Sequence, residues 1–508
     1  MIDKRLFIAG VVVAIFVALI LRVPGLAERP MHHDEANQAV RCGELQQSFE
    51  YAYDPADHHG PSLYYFSLPT AWIFSGKDFN GTNEWTFRLV PVFFGILLVV
   101  LILLLKDGIG RSAVFFSMLF AAVSPVLTWY SRFYIQEMLL VCFTAGVIET
   151  VWRYCQSGRP VWVITGGVFL GMMAGTKETW IIAVGAMIIA AVVTALWCRV
   201  DRGTPQLENK IQLSGSIAAV LAAAFVFVLL YSSFYMNMGG VLDAVQSYSV
   251  YVKRGISGGR HTQPWYYYVW LLRYESALMG LAVMGMLCIA CNIGIKPQHR
   301  RLSRFILIYT VLLTGIYSFI SYKTPWCVCS IVFGLVILAG IGIGAIAAVI
   351  QSRNTRYLVY SCGIVLAVIL GWQAWRLKGT WRRGRGNPYA YVETSSDIKR
   401  LESRMNGLAQ SDRRGYAGMI QVIAPSDRMW PLPWYLRKFS NTGYWTVQSK
   451  PEIIEKIPYL ITSPGISEEL PEEFKKKYMI EFFGLREDVL IVLHVRKDIW
   501  ERYMETRR

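Results

Sequence analysis

Charge is scarce in this sequence. Asp, Glu, Lys and Arg make up 17% of its 508 residues, against about 25% in an ordinary soluble domain. Hydrophobic residues reach 54%, and so apolar a chain collapses or inserts rather than staying disordered. Cysteine is sparse as well. Nine in 508 residues, mostly inside apolar runs, exclude a small disulfide-stapled scaffold. There is no P-loop, no GxGxxG in a strand–helix context and no GxSxG elbow. No internal repeat of fixed period occurs.

Positive charge is in excess, with a net +16, and its placement matters more than its size. Residues 377–508 hold 23 Lys/Arg and 17 Asp/Glu, a balance of +6. The other +10 lies mostly in short linkers between hydrophobic runs. Such a pattern orients a membrane protein. A nucleic-acid binder would show a continuous basic stripe with aromatics, so no nucleic acid is expected as a partner.

Apolar runs long enough to cross a bilayer, about 20 residues each, fall near 6–25, 87–105, 112–130, 134–152, 161–176, 179–198, 212–235, 276–295, 304–321, 326–350 and 357–376. The expected fold is an α-helical polytopic membrane protein of about eleven spans. The first run ends in Arg22-Val23-Pro24-Gly25 without a small-x-small cleavage site, which reads as an uncleaved anchor. Lys4 and Arg5 place the N-terminus in the cytoplasm. The linkers 106–111, 153–159, 199–210, 296–304 and 353–356 then fall inside with 13 Lys/Arg, while the three short outer linkers hold only Arg132, Lys177 and Lys323. An odd number of spans puts the C-terminus outside, in the periplasm or extracellular space of a cell (inner) membrane protein.

Two outer loops, about 26–86 and 236–275, exceed ordinary connector length and are expected to be functional. In the first, Glu35–Phe49 and Ser62–Phe74 read as helices along the membrane surface. Gly255, Gly258 and Gly259 give the second the composition of a loop that closes over substrate. Residues 1–376 form the expected membrane domain. Residues 377–508, entered through a linker at Gly384–Pro388, form an extracytoplasmic α/β domain. It has a helix at Ser395–Leu408 and strands at Met419–Ala424, Tyr459–Thr462 and Val489–Val495.

Two constellations carry chemistry. The first is Met31-His32-His33-Asp34-Glu35, at the head of a loop with nine Asp/Glu and three Lys/Arg between 27 and 87. A carboxylate held at the water–membrane boundary can take a proton from an acceptor hydroxyl. The repulsion of adjacent Asp34 and Glu35 would raise one pKa toward a useful value. The alternative is that Asp34 caps the helix that follows. His33, His58 and His59 with Asp34 and Glu35 are also candidate ligands for a divalent metal (Mg, Mn or Zn), although no HExxH spacing occurs. The alternative is interfacial histidines bonded to loop carbonyls.

The second constellation is charge at the outer ends of spans: Arg132 and Glu137, Lys177 and Glu178, and Lys323 between Tyr322 and Trp326. Charge at such depth is costly and is either functional or paired. Arg132–Glu137 and Lys177–Glu178 pairs are the structural alternative. Together with Lys253, Arg254, Arg260 and His261 of the second long loop, these cations suit a lipid phosphate. Cys288/Cys291 and Cys327/Cys329 read as ordinary packing residues.

The set His33-Asp34-Glu35, His59-Gly60-Pro61, Lys177-Glu178-Thr179, Tyr322-Lys323-Thr324-Pro325-Trp326 and Trp430-Pro431-Leu432-Pro433-Trp434-Tyr435 resembles the GT-C membrane glycosyltransferases. Among these the chain looks like the protein O-mannosyltransferase and aminoarabinose-transferase type, and most like the "flippase activity-associated" family of bacteria and archaea. The resemblance implies a polyprenyl-phosphate sugar donor and an acceptor hydroxyl entering from the outer side. It also implies inversion at the sugar and a general base at the Asp matching Asp34, with Glu35 beside it. Arg132 matches the family Arg that meets the donor phosphate, with Lys177 and Lys323 as further phosphate ligands. Glu137 stands near the place where the mannosyltransferases carry an Asp. Glu178, His59, Tyr322, Trp326 and Arg260 are expected to position substrate. Expected partners are membrane lipid, the lipid-linked donor, a glycan, lipid or protein acceptor, and other glycan-assembly proteins. The rivals are a flippase or transporter of lipid-linked sugar and a non-catalytic component of a glycan-assembly complex. Transporters carry charge at the midplane and repeat halves; here charge gathers at one face.

Overall fold

The structure is a computed structural model. It describes residues 3–207, 209, 212–257, 261–379, 387–446, 448–449 and 456–507, with backbone alone over 252–257. The chain divides into two compact units. One comprises Met1–Leu26, Ser48–Thr70 and Arg88–Gly379; the other comprises Ala27–Gln47, Ala71–Phe87 and Thr380–Arg508. The 384–386 part of the expected linker lies outside the described residues.

Nine helical segments among the described residues, all but the first turn of one of them in the first unit, are long and apolar enough to cross a membrane. They include α1 (Lys4–Arg22), which is followed in the chain by the loop helices α2 (His33–Ser48) and α3 (Ser62–Ser75). The next is α4 (Glu84–Leu101), continued by short turns to Ile109. Two shorter apolar helices, α5 (Arg111–Val123) and one at Pro160–Ala174, complete the set of eleven apolar runs. The third run is broken in two. Helix α5 stops at Val123, Ser124 accepts the Leu127 N–H as a cap, and α6 (Pro125–Tyr130) restarts with proline at its first position, where the missing N–H costs nothing.

Helix α7 (Glu137–Ser157) and the segment Pro325–Val349 form the centre of this unit, with 83% of their apolar windows buried. Between them in the chain come α8 (Pro160–Ala174), α9 (Trp180–Val200), α10 (Leu213–Tyr231), α11 (Gly239–Ser257), α12 (Ser276–Ala290) and α13 (Pro297–Phe319). The last two spans are α14 (Val328–Val349) and α15 (Arg353–Lys378). Helix α10 is peripheral, with Ile217, Val220, Leu221 and Phe225 exposed. Small residues set the closest crossings, as in other membrane bundles: Gly285 of α12 lies against the Leu338 carbonyl of α14. All nine cysteines are free, and Cys288 and Cys329 are buried among apolar side chains.

The second long loop is largely the helix α11, and its end is tied down. The Lys323 N–H donates to the His261 carbonyl at 3.0 Å, and Thr262 bridges to Tyr322. Gly258, Gly259 and Arg260, and the side chains of Lys253 and Arg254, lie outside the described residues.

The second unit is built on a five-stranded sheet in the order β2-β1-β3-β5-β4. The strands are β1 (Ile420–Ile423), β2 (Thr442–Trp445), β3 (Tyr459–Thr462), β4 (Tyr478–Arg486) and β5 (Val489–Arg496). Strand β1 pairs parallel with β2 and β3, whereas β5 runs antiparallel to β3 and β4. All residues of β1 and β3 are buried, so both faces must be covered. Helices α16 (Asp397–Ser411) and α17 (Lys497–Glu505) pack against each other and against β4 and β5. A cluster of Ile423, Ile457, Leu460, Ile466, Leu470 and Tyr478, with Phe474 against it, provides further core.

Candidate active site

Helix α2 begins at His33, so Asp34 and Glu35 occupy its first turn, where the helix dipole favours acidic groups. Glu35 is fully buried and engaged. Its Oε2 accepts from Arg29 Nη2 at 2.7 Å and from the His32 backbone N–H at 2.9 Å, the second bond being the return contact of a capping box. His32 Nδ1 accepts the Asp34 N–H at 3.1 Å. Its Nε2 therefore carries the proton and donates to the Tyr391 carbonyl at 2.8 Å. His32 and Glu35 thus close this helix end, and Asp34 is not its cap. The Asp34 carboxylate is half-buried, with no hydrogen-bond or ion-pair partner among the described residues.

The chain before the pair is pinned within the same unit. The Met31 N–H donates to Tyr435 Oη at 2.8 Å, and the Met31 carbonyl accepts from Thr394 Oγ1 at 2.7 Å. Tyr435 in turn donates to Glu84 Oε1 at 3.3 Å. Tyr435 belongs to the Trp430–Tyr435 motif, whose Trp434 is buried against Phe79 and Phe87, with the Arg437 guanidinium 3.8 Å from its ring centre. The motif anchors the backbone that presents Asp34.

In the first unit, two motifs more than a hundred residues apart meet. Ser62 N–H donates to the Gly175 carbonyl at 2.9 Å, and Ser62 Oγ bonds Thr176 Oγ1 at 2.7 Å. A Cβ on Gly60 would stand 2.5 Å from the Gly175 oxygen and 2.8 Å from Tyr231 Oη, so only glycine admits this approach. His59 Nδ1 thereby reaches Glu178 Oε2 at 2.8 Å, and Tyr53 Oη donates to Glu178 Oε1 at 2.7 Å. Burial alone would raise the Glu178 carboxyl. The charge and hydrogen bond of His59, with the Tyr53 bond, hold it below the ordinary value. With Nδ1–H directed at the carboxylate, His59 keeps Nε2 for a further partner, as a donor when the ring is charged and as an acceptor when it is neutral. This nitrogen has no partner among the described residues, and the side chain is 28% exposed.

The outer cations are held differently from the sequence expectation. Lys177 pairs with Glu137, not Glu178, and both are buried. Burial alone would lower the Lys177 ammonium; the Glu137 carboxylate holds it well above its ordinary value. Arg132 Nη1 donates to the carbonyls of Arg22 and Pro24 at 2.6 and 2.8 Å, and Nη2 to that of Gly25 at 3.1 Å. It thus closes the C-terminus of α1. Lys323 Nζ donates to the carbonyls of Gln263 and Ile320. These acceptors are neutral, so Lys323 is a buried ammonium with no acidic partner among the described residues, and burial lowers its pKa. Trp326 is buried, whereas Tyr322 is partly exposed beside the His261 ring at 5.0 Å.

Several of the candidate metal ligands have other partners. Glu35 is taken by Arg29, His58 Nδ1 lies 3.2 Å from Asp57, and His59 is held by Glu178. Among the described residues no group of three or more His, Cys, Asp or Glu is arranged to hold an ion.

Sequence reasoning missed Tyr53, Tyr251 and Ser233. Tyr251 Oη lies 3.0 Å from His59 Nδ1. Ser233 Oγ accepts from Tyr51 N–H and Tyr65 Oη at 2.9 and 3.0 Å. Ser233, Phe234 and Tyr235 are three consecutive residues at φ 50, 55 and 72°, a conformation their side chains disfavour. No glycine or asparagine marks them in the sequence.

The chain has the GT-C fold and is a multi-span membrane protein. The sequence profile of the dolichyl-phosphate-mannose-protein mannosyltransferase family matches residues 59–226, which include the His59-Gly60-Pro61 and Lys177-Glu178 motifs. ArnT from Cupriavidus metallidurans, solved bound to undecaprenyl phosphate, aligns at a TM-score of 0.62 and 15% identity, covering 96% of this chain and 97% of its own. The archaeal oligosaccharyltransferase AglB from Archaeoglobus fulgidus, in complex with an inhibitory peptide and a dolichol-phosphate, aligns at 0.53 and 12% identity, covering 98% and 77%. The arabinofuranosyltransferase AftD from Mycobacteria aligns at 0.52 and 11% identity, covering 97% and 40%. No curated protein matches the chain in sequence.

Proposed function

We propose that the chain is a glycosyltransferase that moves a sugar from a polyprenyl-phosphate donor to an acceptor hydroxyl on the outer face of the cell membrane. Asp34 is the general base. It accepts the acceptor proton as that oxygen attacks the sugar C1. The C1–O bond to phosphate breaks with inversion, and polyprenyl phosphate leaves with the negative charge. The leaving phosphate requires positive charge, assigned to Arg132, Lys177 and Lys323. The protein acceptors of Lys323 are uncharged carbonyls, so its charge has no acidic partner among the described residues. His59, oriented by Glu178, positions substrate with Tyr322 and Trp326. The observation that carries the reading is the contrast within the acidic pair: Glu35 is bound to Arg29 and His32, while Asp34 keeps its carboxylate without a partner among the described residues.

The test is Asp34→Asn, assayed by transfer from a labelled polyprenyl-phosphate sugar. Turnover should fall by roughly 100-fold or more, the usual worth of positioned proton transfer. The melting temperature should hold, because no bond to the carboxylate is lost. A well-folded variant with wild-type turnover would falsify the base assignment and favour translocation of a lipid-linked sugar. The orientation, with the N-terminus in the cytoplasm and residues 377–508 outside, rests on the thirteen-to-three asymmetry of Lys/Arg. A reporter active only in the cytoplasm, fused after Arg508, should be silent, and strong signal there would reverse the assignment.

A further inference from the structure

The second unit contains a polar cleft of about 750 Å³ between α16 and the C-terminal helix α17, within the size range of small-molecule sites. Helix α16 buries Ile398, Leu401, Met405 and Leu408 toward the core. Its opposite stripe, Ser403, Asn406 and Gln410 at spacings of three and four, lines the cleft. Gly407 lets the two helices approach: a Cβ there would lie 2.7 Å from Tyr503 Cε2. The Tyr503 ring is fixed by Arg404, whose Nη1 donates to its Oη at 2.8 Å, and by Arg507, 5.6 Å from the ring centre.

What the lining groups lack decides the ligand. Asn406 Oδ1 accepts from Tyr416 Oη at 3.1 Å, which leaves both amide N–H groups without a partner among the described residues. The Ser403 hydroxyl and the Gln410 amide also have none. The Glu402 carboxylate lies 4.0 Å from Arg437. The cleft therefore offers neutral donors and acceptors together with one carboxylate, Glu402, and two cations, Lys399 and Arg507. An alkyl chain would strand every one of these groups. A polyhydroxylated chain, each hydroxyl both donor and acceptor, satisfies them.

At the other end of the cleft, Lys399 donates to the Ala27 carbonyl and stands 3.6 Å from Glu84 Oε1. Glu84 is bonded by Tyr435, which holds Met31 in the segment leading to Asp34. We infer that this cleft binds a glycan, the part of an oligosaccharide acceptor lying several sugars away from the reacting hydroxyl. The inference rests on the proposed glycosyl transfer and narrows its acceptor to glycan.

The experiment uses the full chain in detergent micelles. Saturation-transfer NMR would be recorded with neutral pentasaccharides of mannose, glucose and N-acetylglucosamine, and with a neutral Gly/Ser pentapeptide as the competing class. At least one pentasaccharide should bind with a Kd below about 10 mM, and Ser403→Trp, which fills the cleft from an exposed position, should weaken it at least about tenfold without moving the melting temperature. Asp34→Asn should bind the same sugar as the wild type does. No pentasaccharide binding, binding indifferent to Ser403→Trp, or selective binding of the peptide would each overturn the assignment. If the wild type transfers sugar from the labelled donor but binds no pentasaccharide, only the cleft assignment falls. If a pentasaccharide binds in the cleft but no acceptor is ever glycosylated, the transferase reading falls and the glycan site stands.

Discussion

The buried pair of Lys177 and Glu137 gives the sharpest test of how the outer charges are used. Their side chains are only 6% and 5% exposed, so neither can turn to water when the other is removed. Lys177→Met leaves a carboxylate buried without its counter-charge, which costs about 3–5 kcal/mol. Part of that cost is offset because Glu137 opens helix α7, where the dipole favours an anion by about 0.3–1 kcal/mol. Glu137→Leu should be damaging for the complementary reason. The double variant Lys177→Met/Glu137→Leu removes both charges and keeps the volume, so its stability should return to within about 1 kcal/mol of the wild type or exceed it.

Unfolding by SDS titration in mixed micelles, run as a double-mutant cycle, reads the coupling directly. It should be about 2 kcal/mol or more. Single variants that unfold at the wild-type SDS fraction, or a coupling below about 0.5 kcal/mol, would refute the claim that this is a desolvated ion pair. The same double variant separates two roles for Lys177. If Lys177 also binds the donor phosphate, stability returns while the KM for donor stays raised. If it only neutralises Glu137, both return.

Two other outcomes follow from the structure. Lys323→Gln should raise the KM for the lipid-linked donor by about tenfold while leaving that for acceptor within about twofold; equal changes in both would remove Lys323 from the phosphate site. In the second unit, burial, helped by Lys475, lowers the His494 pKa from 6.5 to about 4. Its folded form thus binds the proton later than its unfolded form, so the stability it contributes is complete above pH 6.5 and fades as pH falls to about 4. The loss is on the order of 3 kcal/mol. His494→Phe should flatten the acid limb of Trp fluorescence unfolding over that window, and an unchanged limb would refute it.

Most of the membrane architecture was legible because a bilayer demands a run of about 20 apolar residues, and each of the eleven runs contains helix. The break at Ser124-Pro125 was visible only as a cap followed by proline, a signal that hydropathy overrides. In the sheet, β1, β3 and β5 were legible as apolar segments, and the two missed strands, β2 and β4, are its edges. Edge strands carry half-solvated, mixed compositions, and β4 alternates irregularly with Glu481 and Arg486 among its aromatics. The joining of Ala27–Gln47 and Ala71–Phe87 with residues 380–508 in one unit depends on long-range contacts such as Met31 to Tyr435, which no local pattern encodes.

The candidate site shows the same division. Sequence position made Glu178 the natural partner of Lys177, yet Glu178 is drawn to His59 by the close approach of Gly60 to Gly175, and Lys177 is left to Glu137. A buried polar group must be satisfied somewhere, so the partners a residue already has limit what else it can do. Glu35 and Lys177 are satisfied by opposite charges, and Arg132 by the carbonyl ends of α1. Among the described residues the Asp34 carboxylate and the Lys323 ammonium have no partner of opposite charge, and the Nε2 of His59 has no partner. Residue type selected all six alike; their partners differ, with Glu35 and Lys177 ion-paired and the Asp34 carboxylate without a partner among the described residues.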